Sequence, residues 1–450
     1  MSELSAVAEA AVEAALAAGA GAAEAYASRE GGREVRVHGG AVESLTAATQ
    51  SGIGIRAWND GRVGYAFGTD LTAAGVARIA GDAAEAAAVA DEDEFAAPPE
   101  PAPVEALAGL SDPSVATWSS AQAAELALAV ERTALAADSR VVGVEQVVYA
   151  DSSEQVAIAS SAGVAGEYEA SDCFAYLQAL AESDGGRETG LGFGLARGPA
   201  DLDPEAIGRE GAERATAMIG AGKPESRACP VVFDPTVAAS FVGLIGGGLS
   251  AGAVQRGRSP FAGRLGEELA APALALHDDG RDPGGSASAP FDGEGVPRRR
   301  TALIEGGRLR AFLYDTYTAN REGGSSTGSA ARHGYRSLPT VAASNLVVAP
   351  GPLGFAELLA EAGEGVYVTD VAGLHSGVNP VTGVFSVGAS GRAIRAGELA
   401  EPLREFTIAS DLVAMLGAVR ATGSEPRWVP FGGSVSTPPL LIGEMAISGA

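Results

Sequence analysis

CPVVFDPTVAASFVGLIGGGLSAG, Cys229 to Gly252, is the stretch that decides how the chain is put together. Its first half is a short apolar run closed by Asp234 and Pro235. It reads as a buried strand that stops where proline has no N–H to give a ladder. Its second half places Val237, Phe241, Leu244 and Ile245 at helical spacing, so a helix follows the strand at once. The glycine triplet 246–248 either lets another segment approach the helix closely or breaks it. From Pro235 to Gly266 there is no Cys, His, Asp or Glu. This helix can pack, but it offers no ligand to a metal and no group to move a proton.

Upstream, residues 2–19 read as a helix stopped by Gly-Ala-Gly. AEAYASRE and REVRVHGG read as two strands. SGIGIRAWNDGRVGYAFGT (51–69) reads as a hairpin around Asn59-Asp60-Gly61, and residues 71–90 return to helical spacing. DEDEFAAPPEPAPVEA (91–106) is acidic and proline-rich and predicts an exposed connection. Helices are expected at about 119–138 and 203–220. Strands are expected over 143–196, with turns at Asp151-Ser152-Ser153 and Asp184-Gly185-Gly186. GAGKPESRA (220–228) reads as an interdomain joint, giving domains 1–222 and 226–450.

Downstream, 259–295 is mostly loop. Strands and hairpins follow over 298–319, in NLVVAPG, GVYVTDVAG and GVFSVGASGRAIRAGELAEPL, with one late helix over 406–420 and a closing strand. No solenoid-length repeat occurs. The class is α+β in two domains. N-terminal helices pack on an antiparallel sheet, and the C-terminal domain is rich in β-sheet around the central helix.

Charge is uneven. The chain of 450 residues carries −26, with 13 Lys/Arg against 36 Asp/Glu in 1–225 and 18 against 21 in 226–450. With no basic stripe in either half, nucleic acid and anionic membrane are not expected partners. Cys173 and Cys229 form no CxxC and cannot build a disulfide framework, which fits a reducing cytoplasm. The alanine-rich N-terminus is interrupted by Glu3, Glu9 and Glu13, and no run of 18 apolar residues exists, so neither a signal peptide nor a membrane span is read.

Four stretches, in order, resemble the TldD/PmbA family, also described as modulators of DNA gyrase. They are SGIGIRAW with its flanking helices, PVVFDPTVAASFVGLIGGGLSAGAVQRGRSPFAGRLGEEL, REGGSSTGSAARHG (321–334) and GLHSGVNPVTGVFSVGASGRAIRAGELAEPLREFTIASDL (373–412). The resemblance spans nearly the whole chain. It implies two kinds of subunit acting together as a peptidase on unfolded or modified peptides, in proteolysis and peptide maturation. TldD-like members carry a zinc-binding His-Glu…His motif on the central helix and a later cysteine ligand. TldE-like members, also called PmbA, lack them. Here Val242, Gly243, Leu244 and Ile245 stand where the metal chemistry is expected, and Phe431-Gly432-Gly433-Ser434 has no cysteine. The resemblance therefore implies the TldE/PmbA-like branch, with no catalytic residue or cofactor in this chain and with zinc in a TldD-like partner. The chain alone is expected to be inactive, to form a homodimer in isolation, and to pair with the zinc-bearing subunit in the cell.

The loop EGGSSTGSAARHG offers the hydroxyls of Ser325, Ser326 and Thr327 to an extended peptide, or is simply solvated. It is not a phosphate cradle, since no G-x-x-x-x-G-K-[ST] occurs. His375 and Gly377 lie in the tight turn AGLHSGVNP, and His333 lies in the preceding loop. These six residues are the candidate peptide groove, with 321–334 and 373–388 bordering an open strand edge. The alternatives are a stand-alone peptidase built from His333, His375 and Asp370, and a regulatory peptide binder. A serine hydrolase is disfavoured, because GGLSAG has the wrong glycine spacing for a nucleophile elbow.

Overall fold

A computed structural model describes residues 2–183, 186–431 and 433–449. The order begins α1 (Glu3–Ala17), β1 (Ala22–His38), β2 (Ala41–Asn59), β3 (Arg62–Gly68), α2 (Ala73–Val89), α3 (Ser114–Thr117), α4 (Ser120–Ala137), β4 (Val141–Ser160), β5 (Ala165–Ser183), β6 (Gly186–Ala196) and α5 (Pro204–Ala217). It continues β7 (Arg227–Phe233), α6 (Pro235–Gly248), α7 (Ala251–Gln255), β8 (Leu276–Asp279), β9 (Arg300–Glu305), β10 (Arg308–Leu309), α8 (Thr316–Asn320), β11 (Ala330–Ala331), β12 (Thr340–Val341) and β13 (Asn345–Val348). The chain ends with α9 (Phe355–Ala362), β14 (Gly365–Ala372), α10 (Leu374–Gly377), β15 (Val384–Arg395), β16 (Glu398–Asp411), α11 (Leu412–Gly417), β17 (Val419–Thr422), β18 (Arg427–Val429), β19 (Ser434–Thr437) and β20 (Leu440–Ser448).

The first six strands form one antiparallel sheet in the order β3-β2-β1-β4-β5-β6. Side chains alternate across a strand, so β1 shows what covers each face. Ala23, Ala25 and Ala27 pack with α1 and α2, and Val35 and Val37 pack further along with α4. The even positions Glu24, Tyr26 and Ser28 are buried too, on the opposite face. There Tyr26 meets Phe291 and Tyr335 of the C-terminal half. The helices can sit close because their contact residues are small. A Cβ on Gly192 of β6 would lie 2.1 Å from the Ile207 carbonyl of α5, so only glycine fits.

From residue 227 on, β16-β15-β14-β7-β20-β17 make a second six-stranded sheet, and an extra β16–β20 pairing closes five of these strands into a ring. β10-β9-β8-β13-β19-β18 make a third sheet. Strand β7 leads directly into α6, as read from the sequence. Val237, Phe241, Val242 and Ile245 of α6 lie in the largest core, with Phe233, Phe385 and Phe406. Phe241 stacks on Phe233 with centroids 5.2 Å apart.

Several expectations are corrected. AEAYASRE and REVRVHGG are one strand, β1, held on both sides by β2 and β4. Asp151-Ser152-Ser153 is not a turn but lies inside β4, paired with Arg33, Gly32 and Gly31. Ladder bonds on both sides outweigh the local turn preference, and Asp151 is fixed by Arg33 (2.6 Å) and the Tyr149 hydroxyl (2.8 Å). The helix expected over 406–420 is only Leu412–Gly417. Phe406 and Ile408 alternate into the core as part of β16, and Asp411 caps the short helix at the Val413 and Ala414 N–H groups. Residues 91–106 are an irregular connection, but not a free one: Asn320 donates to the Phe95 carbonyl and Arg281 to those of Glu105 and Ala106. Of the turn expected at 184–186, Asp184 and Gly185 lie outside the described residues.

Beside the Tyr26 contacts, a buried ionic network crosses between the halves. Arg56 of β2 donates to Glu24 (2.7 Å) and to Glu294 (3.0 Å), and Arg332 donates to the other Glu24 oxygen. Glu294 also accepts from the Thr316 N–H at 2.9 Å. Cationic Arg56 holds the Glu294 carboxyl low, while burial and Glu294 push neighbouring Asp292 up. Every acid here has a donor, which is what makes burial of such charges tolerable.

Candidate functional site

The site is built on α6. Its N-cap, Asp234, accepts from the Thr236 N–H at 2.9 Å and is gripped by Arg214 of α5 (3.1 Å) and the Tyr367 hydroxyl (2.6 Å). Arg214 also binds Glu210 (3.1 Å), which in turn holds Arg427 at 2.8 Å. The start of the helix is thus tied to the first half of the chain. The glycine triplet forms the last three residues of the helix, which ends at Gly248. A Cβ on Gly246 would be 2.3 Å from Leu346, and one on Gly248 would be 3.0 Å from Phe261. A Cβ on Gly247 would meet nothing within 4 Å. Two of the glycines admit close packing, and the third faces open space.

That space is a cavity of about 690 Å³. Ser240, Gly243, Leu244, Gly247 and Gly248, one face of α6 at helical spacing, form its floor. Arg258, Pro260, Leu374, His375, Val378 and Phe431 are among the residues that close it. A second cavity of about 510 Å³ adjoins it and shares Ser240 and Phe431. Its walls come from both halves of the chain and include Glu188, Glu213, Arg214, Asp234, Tyr367, Asp370 and Arg392. Phe431 forms the ridge between the two, braced edge-on against Phe193 at 5.2 Å. A smaller cavity on the other side of Gly243 and Gly247 is bounded by Gly433 and Ser434. The loop that carries no cysteine therefore lies beside the helix that carries no histidine. Gly432 of that loop lies outside the described residues.

The charges along this groove sort by partner. Most are engaged: Glu188 with Arg404 at 2.6 Å, Arg214 as above, and Arg392 with the Ala400 carbonyl at 2.7 Å. Tyr367 is pushed well up, by burial first and then by Asp234. Asp370 keeps an exposed side chain on β14, the desolvating cavity wall around it raises its carboxyl, and among the described residues it has no ion pair. Among the described residues, the side chains of Glu213 and Arg258 make no hydrogen bond or ion pair.

The six residues read from the sequence do not converge. His375 is exposed and lines the larger cavity, and Gly377 packs behind it, against the Ser386 carbonyl and Val387. Ser326 and Thr327 are turned inward: both hydroxyls bond the Tyr314 carbonyl, and Ser326 Oγ accepts from the Gly328 N–H at 3.1 Å. Ser325 is exposed outside both cavities. His333 lies beside the N-terminal sheet, its N–H donating to Ser337 Oγ at 2.8 Å. His333, His375 and Asp370 share no cavity, so the structure does not assemble the stand-alone site. Among the described residues, no three His, Cys, Asp or Glu side chains come together as a metal-binding group. The larger cavity offers one imidazole and one serine hydroxyl, which does not fit zinc. Sequence reading missed Arg258 and Glu213, and took Phe431 only as the start of the stretch without a cysteine. Nothing in their local sequence sets them apart, because they become neighbours only through α6.

Comparison with known proteins identifies the fold. Family profiles match residues 23–87 as PmbA/TldA metallopeptidase domain 1, 113–219 as the central domain and 226–449 as the C-terminal domain. Metalloprotease PmbA of Escherichia coli O157:H7 is 28% identical over 434 residues, 95% of this chain and 92% of that protein. A Thermotoga maritima protein described as a candidate modulator of a DNA gyrase superposes with a TM-score of 0.91 at 26% identity, covering 98% of this chain and 99% of that one. TldE from Thermococcus kodakarensis shares the fold with a TM-score of 0.92 at 22% identity, covering 98% and 100%. The chain belongs to the TldD/PmbA metallopeptidase family.

Proposed function

We propose that this chain is a TldE/PmbA-type subunit that takes no direct part in bond cleavage. In this reading it supplies peptide-binding walls to a TldD/TldE zinc metallopeptidase whose metal sits in a TldD-like partner. The observation that carries the reading is the floor of the larger cavity. Ser240, Gly243, Leu244 and Gly247 occupy the open face of α6, and none of them is a zinc donor. The name metalloprotease borne by the E. coli relative supports the reaction class. In isolation the chain pairs with a copy of itself. Val381, Val384 and Phe431, exposed near the cavity on the near-neutral half, favour that half as the contact.

The test is reconstitution. The chain is purified alone and together with a relative bearing the His-Glu…His motif, and each preparation is given an unfolded peptide. The pair should cleave and this chain alone should not. Steady cleavage by this chain alone, unaffected by a chelator, would overturn the assignment. Sedimentation showing only monomer at micromolar concentration would remove the self-pairing.

A further inference from the structure

A groove whose paired charges serve the fold, and whose unpaired charges sit at opposite ends, has a polarity. The apolar cavity holds one cation, Arg258, with no acidic side chain on its walls. The adjoining cavity holds two acids without a cationic partner at bonding distance, Asp370 and Glu213. Arg214 and Arg392, the cations there, are already engaged. Between the two ends lies a surface with little to read: small residues of α6 and the Phe431 ring. From Ser240 to Gly248 the helix advances ~12 Å, which about four residues of an extended peptide would span.

We propose that this groove holds a short extended peptide by its two free ends, the α-carboxylate on Arg258 with His375 beside it, and the α-amine between Asp370 and Glu213. The inference rests on the peptide-binding reading above and adds its substrate class: short peptides with both termini free, bound in one direction. A guanidinium is suited to a carboxylate because its planar fork can donate two parallel hydrogen bonds. The neutral middle leaves the side chains of the peptide unselected.

Calorimetric titration of the full chain with an alanine-rich pentapeptide tests this in four forms: free, N-acetylated, C-terminally amidated, and amidated with Glu as the last residue. Blocking either end should weaken Kd at least ten-fold. The Glu-amide should not recover the affinity of the free acid; if it does, a side-chain carboxylate is the ligand and the proposal fails. Arg258→Ala should make acid and amide bind alike while the acetylation effect persists, and Asp370→Asn should do the converse. Arg258 lies on the surface, so its loss leaves folding intact, which circular dichroism checks. Equal binding of free and blocked forms overturns the proposal and leaves the peptide-binding reading standing. No binding of any form overturns both.

Discussion

Two regions join the halves of this molecule, and they treat charge in opposite ways. At the seam beside Tyr26, Glu24, Arg56, Glu294 and Arg332 are buried and paired with one another, and only Arg56 Nε among the Arg56 nitrogens is left without a partner. Along the open face of α6, Arg258, Glu213 and Asp370 stand on cavity walls with no side-chain partner within bonding distance. The first region has spent its charges on holding the halves in register. The second keeps its charges available, at the place where the helix has no chemistry of its own. Partnering, more than the mere presence of charge, separates the charges that hold the fold from those left free.

The comparison breaks most visibly at the seam. Glu294→Ala removes one of the two acids that Arg56 donates to, strips the Thr316 N–H of its acceptor and leaves the buried network one carboxylate short, and should cost about 3–5 kcal/mol. Urea unfolding reads this directly, and a loss below 1 kcal/mol would mean that the network is not closed as described. A smaller effect separates the glycines of α6. Gly246→Ala should cost about 1–3 kcal/mol, because its methyl overlaps Leu346. Gly247→Ala should be neutral or stabilise by up to about 1 kcal/mol, since it replaces a helical glycine facing open space. Equal costs would show that the cavity is filled.

The seam should also respond to pH. Burial, reinforced by Glu30, pushes Glu154 up to about 7, and Asp292 is raised in the same direction. A carboxyl raised on folding holds a proton that the unfolded chain has already released. Its contribution is therefore full below the unfolded value near 4.5 and is lost as pH rises toward 7. The melting temperature should fall between pH 5 and 7.5, and Glu154→Gln should flatten part of that slope. The smallest effect is expected at His375. Its replacement by alanine should change stability by no more than about 0.5 kcal/mol, because it is an exposed position on the single turn of α10. A large loss there would place it in the fold's support.

Much of the architecture was legible in the sequence. The strand-to-helix step at Phe233–Pro235, the hairpin at Asn59–Gly61 and the helices at Glu3–Ala17 and Ala73–Val89 all rest on local periodicity and capping, which the chain carries in its own order. What failed was decided by neighbours far along the chain. Asp151-Ser152-Ser153 has turn chemistry but sits between two ladders. Phe406 and Ile408 fit a helix by composition but alternate into a closed ring of strands. The site was half legible for the same reason. The absence of ligands on α6 is a fact of sequence, whereas the meeting of Arg258, Phe431 and Asp370 around it depends on two separate loops and strand β14. Ser326 and Thr327 looked available because hydroxyls in glycine-rich loops often are. Their bonds to the Tyr314 carbonyl show them bracing the loop.

The central claim is that the open face of α6 carries no metal in this chain. Elemental analysis of the purified full chain, dialysed against metal-free buffer after exposure to zinc, tests it most directly. The account predicts well under one zinc per chain, unchanged by His375→Ala. One tightly held zinc per chain, lost with that substitution, would contradict it.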